Sequence, residues 1–363
     1  MNTHIPSLLA VCLLVFFTIA CANEHEKQDQ FGMASIELQH ERDIVLTGHD
    51  LDVITVIREP LHVFSDQASF LVTNKRDSYK MAIFDTSGTY ITSFGARGRG
   101  PGEFLSTSAV GIDYEDHIFI YDLNQDRITK FDNSGNYIKE FEGLLKDRFW
   151  IRGGPMLLID GYWHINTEIA EATDYNAKQA IARTARDFSA PVAVGGWDPV
   201  YADAAGTMMP TNPMIAYDAE RGQIIVVHRT SPNIRVLDKA YQPVTQWVHE
   251  SPNFMEADLD VNALMSRDDM IRIIMEISLI MQPFIVEDYF IFHYINQYEA
   301  FYESRDYKDA GLHIGVYNLD DGNYLGEIEL PYRLIGVIAG KLVLLKDDNS
   351  DAPVFSFYRI REY

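Results

Sequence analysis

Short runs of alternating apolar and polar residues fill most of the chain after residue 36, and tight turns separate them. Residues 82–95 and 129–142, offset by 47 residues, share seven of fourteen positions. In each copy, β-branched and aromatic residues recur at period two, as a half-buried strand requires. Gly88 and Gly135 supply the positive φ of the intervening turn. The pattern therefore predicts antiparallel hairpins built from a repeated unit.

Weaker copies of this unit recur along the rest of the chain. The six copies are anchored at Phe84, Phe131, Arg183, Leu237, Asn318 and Phe357. Their spacing is 39 to 54 residues, apart from one step of 81. Six units of about 40–50 residues are typical of a β-propeller with four-stranded blades. We therefore predict an all-β fold, a six-bladed β-propeller of four-stranded antiparallel blades, over residues 36–363.

The long step between units predicts a helical insertion between blades, at about residues 255–282. Apolar residues recur there near helical spacing, Asp258 is a candidate N-cap, and Pro283 follows the expected end. This helix either guards one mouth of the propeller or packs against the side of a blade.

The last unit contains only three strands. Its fourth strand is expected from the N-terminal side, at residues 44–46 or 53–57. Pairing of the first and last segments would close the ring and remove exposed strand edges.

The chain begins with a targeting segment. Leu8–Ala20 is an apolar run of 13 residues, which suits a secretory signal and is short for a membrane span. The run ends in Thr18–Cys21, which resembles a bacterial lipobox, although Thr18 replaces the usual Leu and no Lys or Arg precedes the run. The resemblance implies a signal peptide at 1–20, lipidation of Cys21 and a flexible tether at 21–35. An ordinary signal peptide cut nearby is the alternative.

Charge and cysteine content limit the classes of partner and of metal site that the protein can have. Lys plus Arg is 30 and Asp plus Glu is 53, so the net charge of −23 argues against nucleic acid and against anionic lipid as a binding surface. Membrane contact is expected only through the lipid anchor. The two cysteines, Cys12 and Cys21, cannot form a disulfide-rich module or a Cys-based zinc site.

The linker at residues 94–104, FGARGRGPGEF, resembles the linker of NHL-type propellers. Asp122, Asn124 and Arg127-Ile128 fall on the D-x-N-x-x-R-I pattern of that family, and the match covers about residues 80–143. With the lipobox, the chain resembles the six-bladed, TolB-like propeller lipoproteins of Gram-negative envelopes. The resemblance implies a cell-envelope location at the outer membrane, with the periplasmic or surface face left open. Most of that group has no assigned activity, so the resemblance implies a fold and hardly a function.

Two groups of residues are candidates for ligand binding. Arg97 and Arg99 are a notable basic pair in an acidic chain, and they either hold an anionic ligand at a blade junction or are solvated. The aromatic run 289–302 is denser than a core strand needs. Tyr298, Phe301 and Tyr302 are therefore a candidate recognition surface for sugars or peptides. The alternative is a buried strand followed by a hairpin loop.

Other motifs lack the spacing that their chemistry needs. The glycines of residues 95–102 fit neither a dinucleotide loop nor a P-loop. Asp122–Asp126 and Asp347–Asp351 begin like calcium loops but lack the later Gly and Glu, so they are interpreted as turns. No G-x-S-x-G nucleophile elbow occurs.

Metal-ligating residues are scattered. His164, His228 and His293 lie in strand-like runs of different units and are interpreted as locally hydrogen-bonded. A metal on the propeller axis would need ligands from several blades, with candidate suppliers Asp160, Glu168, Asp218, Asn296 and Glu299. Because no spacing selects among them, we predict no metal site, no cofactor and no catalytic residue.

The leading functional hypothesis is a lipid-anchored binding or scaffolding propeller outside the cytoplasm, with a protein, peptide or glycan ligand. The alternative is a metal-dependent, lactonase-like hydrolase or lyase that uses the central channel. A purely structural envelope component is a third possibility.

Overall fold

The chain folds into six four-stranded blades around a central channel. The computed structural model describes residues 36–48, 53, 56–74, 79–143, 145, 149–169, 178–204, 212–257, 267–348 and 351–363. Blade 1 consists of the strands Ile57–Val63, Ser69–Asn74, Met81–Asp85 and Tyr90–Phe94. Blade 2 consists of Ala109–Ile112, Ile118–Asp122, Arg127–Phe131 and Tyr137–Glu142. Blade 3 consists of Phe149–Ile159, Tyr162–Ile169, Ile181–Ala185 and Val192–Val194.

Blades 4 to 6 complete the ring. Blade 4 consists of the strands Pro213–Asp218, Gln223–His228, Asn233–Leu237 and Pro243–Val248. Blade 5 has an inner strand in two parts, Ser278–Ile280 and Phe284–Val286, followed by Tyr289–Asn296, Gly311–Asn318 and Tyr324–Glu329. Blade 6 consists of Arg333–Ile338, Lys341–Asp347, Val354–Glu362 and Ile36–Val45. The predicted six-bladed propeller is confirmed. Each of the six repeat anchors lies in the third strand of its blade.

The N-terminal strand closes the ring as predicted. Ile36–Val45 pairs antiparallel with Val354–Glu362, so the fourth strand of blade 6 comes from the beginning of the chain. The side chain of Asp43 accepts a hydrogen bond from the Ser356 hydroxyl at 2.6 Å and pairs with Lys346 at 2.6 Å. Of the two predicted segments, 44–46 overlaps this strand.

The repeated hairpin turns are built from one aspartate each. Asp85 Oδ1 accepts from the backbone N of Ser87 at 2.8 Å and of Thr89 at 2.9 Å. In the second copy, Asp132 makes the equivalent bonds. Gly88 has φ +91°, and a Cβ there would lie 2.4 Å from the carbonyl O of Val45. Glycine is required at this turn by both its dihedral angle and the closing strand beside it.

Aromatic side chains fill the spaces between blades. Phe119 of blade 2 lies 4.8 Å from Trp163 of blade 3, ring centroid to centroid. Trp247 of blade 4 stacks on Tyr317 of blade 5 at 5.8 Å and 9°. The core therefore lies between neighbouring sheets, and the inner strands are left to line the channel.

The insertion contains a helix that ends earlier than predicted. The helix covers Arg267–Met275, and Ser278–Ile280 already pairs with the second strand of blade 5. Asp258, the predicted N-cap, lies outside the described residues. A second insertion, between the second and third strands of blade 5, holds the short helix Glu299–Ser304 and the 3-10 turn Tyr307–Asp309. The long repeat step therefore holds two insertions, because a loop inside a blade lengthens the step as much as one between blades.

Candidate functional site

The central channel has a polar upper mouth and a largely apolar lower compartment. The end of the channel at which the first, inner strand of each blade begins is called the upper end. Because successive strands of a blade are antiparallel, the loop between its second and third strands also lies at the upper end. The upper cavity has a volume of about 150 Å³ and is lined by Arg58, Gly153, Gly154 and Gln282, among others. The lower cavity, of about 410 Å³, is lined by later residues of the same strands, including His62.

Two guanidinium groups reach the upper cavity. Arg58 Nη2 donates to the carbonyl O of Ser108 at 2.7 Å, and its Nη1 donates to the carbonyl O of Thr107. The hydrogen-bond contact described for the Arg229 guanidinium is to the Met281 sulfur at 3.9 Å, and a thioether is a weak acceptor. Burial lowers the pKa of both arginines, yet arginine stays protonated because its ordinary pKa exceeds 12. The cavity therefore carries fixed positive charge.

A buried amide completes the wall of the upper cavity. Asn166 is 1% exposed, and its Nδ2 donates to the carbonyl O of Gly153 at 3.4 Å. Its Oδ1 has no hydrogen-bond partner among the described residues. A Cβ on Gly153 would lie 2.7 Å from Arg58 Nη2, and one on Gly154 would lie 2.9 Å from Asn166 Nδ2. The glycine pair lets the backbone of blade 3 approach these polar groups closely.

An ion pair extends the charged region toward the blade 5 loop. Arg333 Nη1 lies 2.8 Å from Glu59 Oε2, and the Arg333 guanidinium stacks 4.7 Å above the ring of Tyr307. Tyr307 in turn packs 5.3 Å from Phe301. Glu59 also lines the upper cavity. Three arginines thus surround one carboxylate in this part of a chain with a net charge of −23.

The lower compartment is uncharged near neutral pH. Its wall includes Leu61, Val63, Ile285 and His62. Burial, together with the nearby Arg58 charge, lowers the pKa of His62 to about 3. The imidazole is therefore neutral, and the two ends of the channel differ in the charge of the side chains that line them.

The linker that resembles NHL propellers is held in place by Arg127. This arginine is 5% exposed. It donates to the carbonyl O of Arg99 at 3.2 Å, of Gly100 at 3.3 Å and of Glu103. It also pairs with Glu140 Oε1 at 3.1 Å. The arginine of the family motif therefore fixes the connection between blades 1 and 2.

The five predicted ligand-binding residues lie on the upper face in two separate sectors. Arg97 and Arg99 are exposed in the linker between blades 1 and 2. Tyr298, Phe301 and Tyr302 lie in the blade 5 loop, where Tyr298 is 46% and Phe301 7% exposed. Within the described residues, no contact joins the two groups. Phe301 packs inward and anchors the loop, so Tyr298 presents the most exposed ring of the three.

The first calcium-like motif forms a turn. Asp122 Oδ1 accepts from the backbone N of Asn124 at 2.9 Å, and Oδ2 accepts from that of Leu105 at 2.6 Å. These bonds use the carboxylate to fix the linker, in agreement with the turn interpretation. The second motif contains Asn349, which lies outside the described residues.

The three strand histidines do not converge. His164 Nε2 bonds the Tyr241 hydroxyl at 2.8 Å, and His228 packs edge-on against Trp197 at 5.4 Å. Neither ring nitrogen of His228 has a hydrogen-bond partner within the described part of the chain. Burial lowers the pKa of His164 and His293 to about 4 and of His228 to about 3. The expectation of local hydrogen bonds is met at His164 and not at His228.

The four candidate metal ligands whose side chains are described do not converge on one site. Asp160 pairs with Lys239 at 2.8 Å and Asp218 with Arg221 at 3.2 Å, both on the lower face. Asn296 and Glu299 of blade 5 lie at the upper end. The side chain of the fifth candidate, Glu168 of blade 3, lies outside the described residues.

One acidic cluster lies on the lower face of blade 2. Asp113, Glu115 and His117 offer ligand atoms within 4.8 Å of one another. Arg186 pairs with Asp113 at 3.3 Å and with Glu115 at 3.5 Å. This cluster is a surface ion-pair network away from the channel.

Sequence reasoning missed the residues of the upper cavity. Arg58, Arg229 and Asn166 come from blades 1, 4 and 3, and no local motif links them. The available signal was the Gly153-Gly154 pair inside a strand, which marks a close approach of backbone to another group. The identity of that group depends on how the blades are arranged.

The targeting segment, with Cys21, lies outside the described residues. Within the described part of the chain, no helix has the length and apolar character needed to span a membrane.

Comparison with known proteins supports the fold. A family model described as DUF5128, 6-bladed beta-propeller, matches residues 56–144. A crystal structure of a DUF4221 family member from Bacteroides vulgatus superimposes with a TM-score of 0.69 at 12% identity, covering 91% of this chain and 99% of that one. A candidate exported protein from Bacteroides fragilis gives a TM-score of 0.62 at 13% identity, covering 92% and 98%. No curated protein matches the sequence. The chain is thus similar to six-bladed propellers in sequence over blades 1 and 2 and in fold over most of its length.

Proposed function

We propose that this protein is an exported, lipid-anchored binding propeller that holds its ligand at the upper mouth of the channel. The observation that carries the proposal is the excess of positive charge in the upper cavity, where Arg58 and Arg229 share one carboxylate, Glu59, that is already paired with Arg333. Positive charge that the fold does not balance is unfavourable in a cavity, so its presence there indicates an anionic ligand.

The exposed residues of the upper face would contact the parts of a ligand outside the cavity. Tyr298 offers an exposed ring, which suits a sugar or a peptide. Arg97 and Arg99 lie on the same face and would add attraction for an acidic ligand. A protein, peptide or glycan reaching into the channel therefore fits this surface.

Export and anchoring rest on two observations. The segment Thr18–Cys21 resembles a lipobox, and the chain shares its fold with a candidate exported protein. Mass spectrometry of envelope-purified protein should find a lipid-modified Cys21 at the mature N-terminus. The Cys21→Ser variant should be released from the membrane fraction, and an unmodified N-terminus elsewhere would refute the anchor.

Binding is tested by probing the purified protein with arrays of envelope glycans and peptides. The proposal expects hits that weaken when Tyr298 is replaced by Ala. A protein that binds no glycan and no peptide, yet is required for envelope integrity, would favour the structural alternative.

The same protein also discriminates against the metal-dependent hydrolase or lyase. A metal that binds only the native state stabilises it by mass action. The unfolding midpoint should therefore agree in the presence of calcium, zinc or a chelator. A fall of several degrees with the chelator, reversed by one divalent ion, would favour the enzyme.

A further inference from the structure

The upper cavity contains more positive than negative charge. Arg58 and Arg229 share its wall with one carboxylate, Glu59, which attracts Arg229 but makes its 2.8 Å ion pair with Arg333. The Arg58 guanidinium is in addition bonded to two backbone carbonyls of the neighbouring linker. Arginine cannot relieve an unfavourable site by losing its proton. An anion from outside would balance the excess positive charge.

A second, independent observation points to the same cavity. Asn166 is 1% exposed and lines the cavity, and its Oδ1 has no partner among the described residues. A buried amide oxygen without a donor is unfavourable by about 1–3 kcal/mol. A ligand that satisfies both groups must carry an oxyanion and, close to it, a hydrogen-bond donor.

The size of the cavity limits the ligand further. Its volume of about 150 Å³ corresponds to roughly five water molecules at ~30 Å³ each. That space accepts one small group rather than a folded segment. In addition, a chain with a net charge of −23 repels anions at long range, so capture of an anion requires a local positive site of this kind.

We propose that the upper cavity binds a small hydroxylated oxyanion, a carboxylate or phosphate on a sugar-like carrier, with Arg229 holding the charge and Asn166 accepting from a hydroxyl. This inference rests on the proposed binding function and names the chemistry of its ligand. The acidic sugar can be free or the terminal unit of a glycan, whose remaining units would extend over the upper face.

The test uses the full lipid-anchored protein in detergent and calorimetric titration at low salt. The probes are D-glucuronate, glucose 6-phosphate and glucose. At least one acid should bind more tightly than glucose by about tenfold or more, the effect expected of one charged hydrogen bond. Binding of only one acid identifies the anionic group, and equal binding of glucose and both acids would overturn the proposal.

Two variants separate a ligand-binding role from a structural one. Arg229→Met should weaken acid binding at least tenfold and raise the unfolding midpoint, because it removes one of three arginine charges around a single carboxylate. Asn166→Asp puts a carboxylate in the cavity wall, so it too should weaken acid binding, because it repels the anion. The control is Arg235→Met in the same blade, because Arg235 donates to the carbonyl O of Gly196 at 3.0 Å. It should keep the affinity and lower the midpoint.

The outcomes distinguish this inference from the broader function. If Arg229→Met lowers the midpoint and no acid binds, another part of this chain supplies the anion and the inference is wrong. If the protein binds glycans or peptides but neither variant changes that binding, the proposed function stands and the anion site does not. If it binds none of the probes and nothing in the arrays, both fail.

Discussion

Arg127 and Arg229 each place a guanidinium inside the propeller, and their surroundings differ in kind. Arg127 lies between blades 1 and 2, with three carbonyl oxygens and the Glu140 carboxylate around it. Arg229 lies at the channel mouth, with the Met281 sulfur as its described hydrogen-bond contact. The first arrangement gives the guanidinium its own carboxylate and three carbonyl acceptors within the fold. The second shares one carboxylate, Glu59, among Arg58, Arg229 and Arg333, which leaves positive charge for an anion to balance.

His228, which precedes Arg229 in the chain, shows why the comparison needs a side chain that cannot lose its charge. His228 is fully buried, and neither of its ring nitrogens has a partner among the described residues. Burial lowers its pKa to about 3, with the nearby Asp198 and Arg235 acting in opposite directions. The imidazole therefore sheds its charge and needs no counterion. Arg229 keeps its charge, so the excess of arginine over carboxylate around it is informative about a ligand, whereas the unpartnered imidazole of His228 is not.

The largest expected effect is the loss of Arg127. Arg127→Met leaves three carbonyls without their donor and Glu140 without its ion-pair partner, and breaking a buried ion pair typically destabilises by about 3–5 kcal/mol. For a domain of this size that corresponds to a fall of roughly 10 °C in the unfolding midpoint. Differential scanning calorimetry measures it, with the partly exposed Lys130→Met as control. A midpoint that rises, as expected for Arg229→Met, would erase the contrast between the two arginines.

The next effect is acid-induced and belongs to His228. Because its pKa in the folded state lies below the unfolded value of 6.5, the unfolded state takes up the proton first. The stabilising contribution is present above pH 6.5 and is lost as pH falls toward 3. By pH 4 the loss is on the order of 3 kcal/mol.

The variant His228→Phe keeps an aromatic ring against Trp197 and should remove the His228 share of this dependence, leaving the shares of the other buried histidines, His62, His164 and His293. Urea unfolding between pH 7 and pH 4 gives the slope, and the exposed His40→Gln should leave it unchanged. If stability changes with pH as steeply in His228→Phe as in the parent protein, the pKa of His228 is not lowered in the folded state and the buried imidazole is not neutral.

A pair of glycines sharpens the description of the upper cavity. Gly154 and Gly161 have φ +93° and +82°, so alanine is strained at both by about 1 kcal/mol. A Cβ at 154 would also lie 2.9 Å from Asn166 Nδ2, whereas one at 161 meets nothing within 4 Å. Gly154→Ala should therefore destabilise more than Gly161→Ala and should alone reduce acid binding in the same titration.

The smallest expected effect is on the exposed surface of the linker. Arg97 and Arg99 belong to the same connection that Arg127 holds, but both are exposed. Replacing either by Ala should change the free energy of unfolding by no more than about 0.5 kcal/mol. A larger loss in chemical denaturation would mean that the surface arginines share the structural role of Arg127.

The sequence predicted the fold well because the fold repeats. The Asp-Ser-Gly turns of Asp85 and Asp132 act through bonds within four residues, and their recurrence revealed the blades and their number. The missing fourth strand followed from counting, and the pairing of Ile36–Val45 with the last strand confirmed it. The end of the helix was predicted too late in the chain because apolar spacing near Ile277 cannot distinguish a helical face from the start of the buried strand Ser278–Ile280.

The candidate site was predicted only in part, since the sequence identified exposed arginines and a dense aromatic loop but not the residues at the channel mouth. Residues close together in the chain determine the turns and the alternation of buried and exposed positions in the strands. They also determine the bonds that Arg127 makes to the linker. The upper cavity is decided by closure of the ring, which brings Arg58, Asn166 and Arg229 together from three blades. Their sequence separation exceeds any local period, and whether a guanidinium is satisfied depends on which carbonyls the neighbouring blade presents. Only the tertiary structure could therefore distinguish the role of Arg229 from that of Arg127.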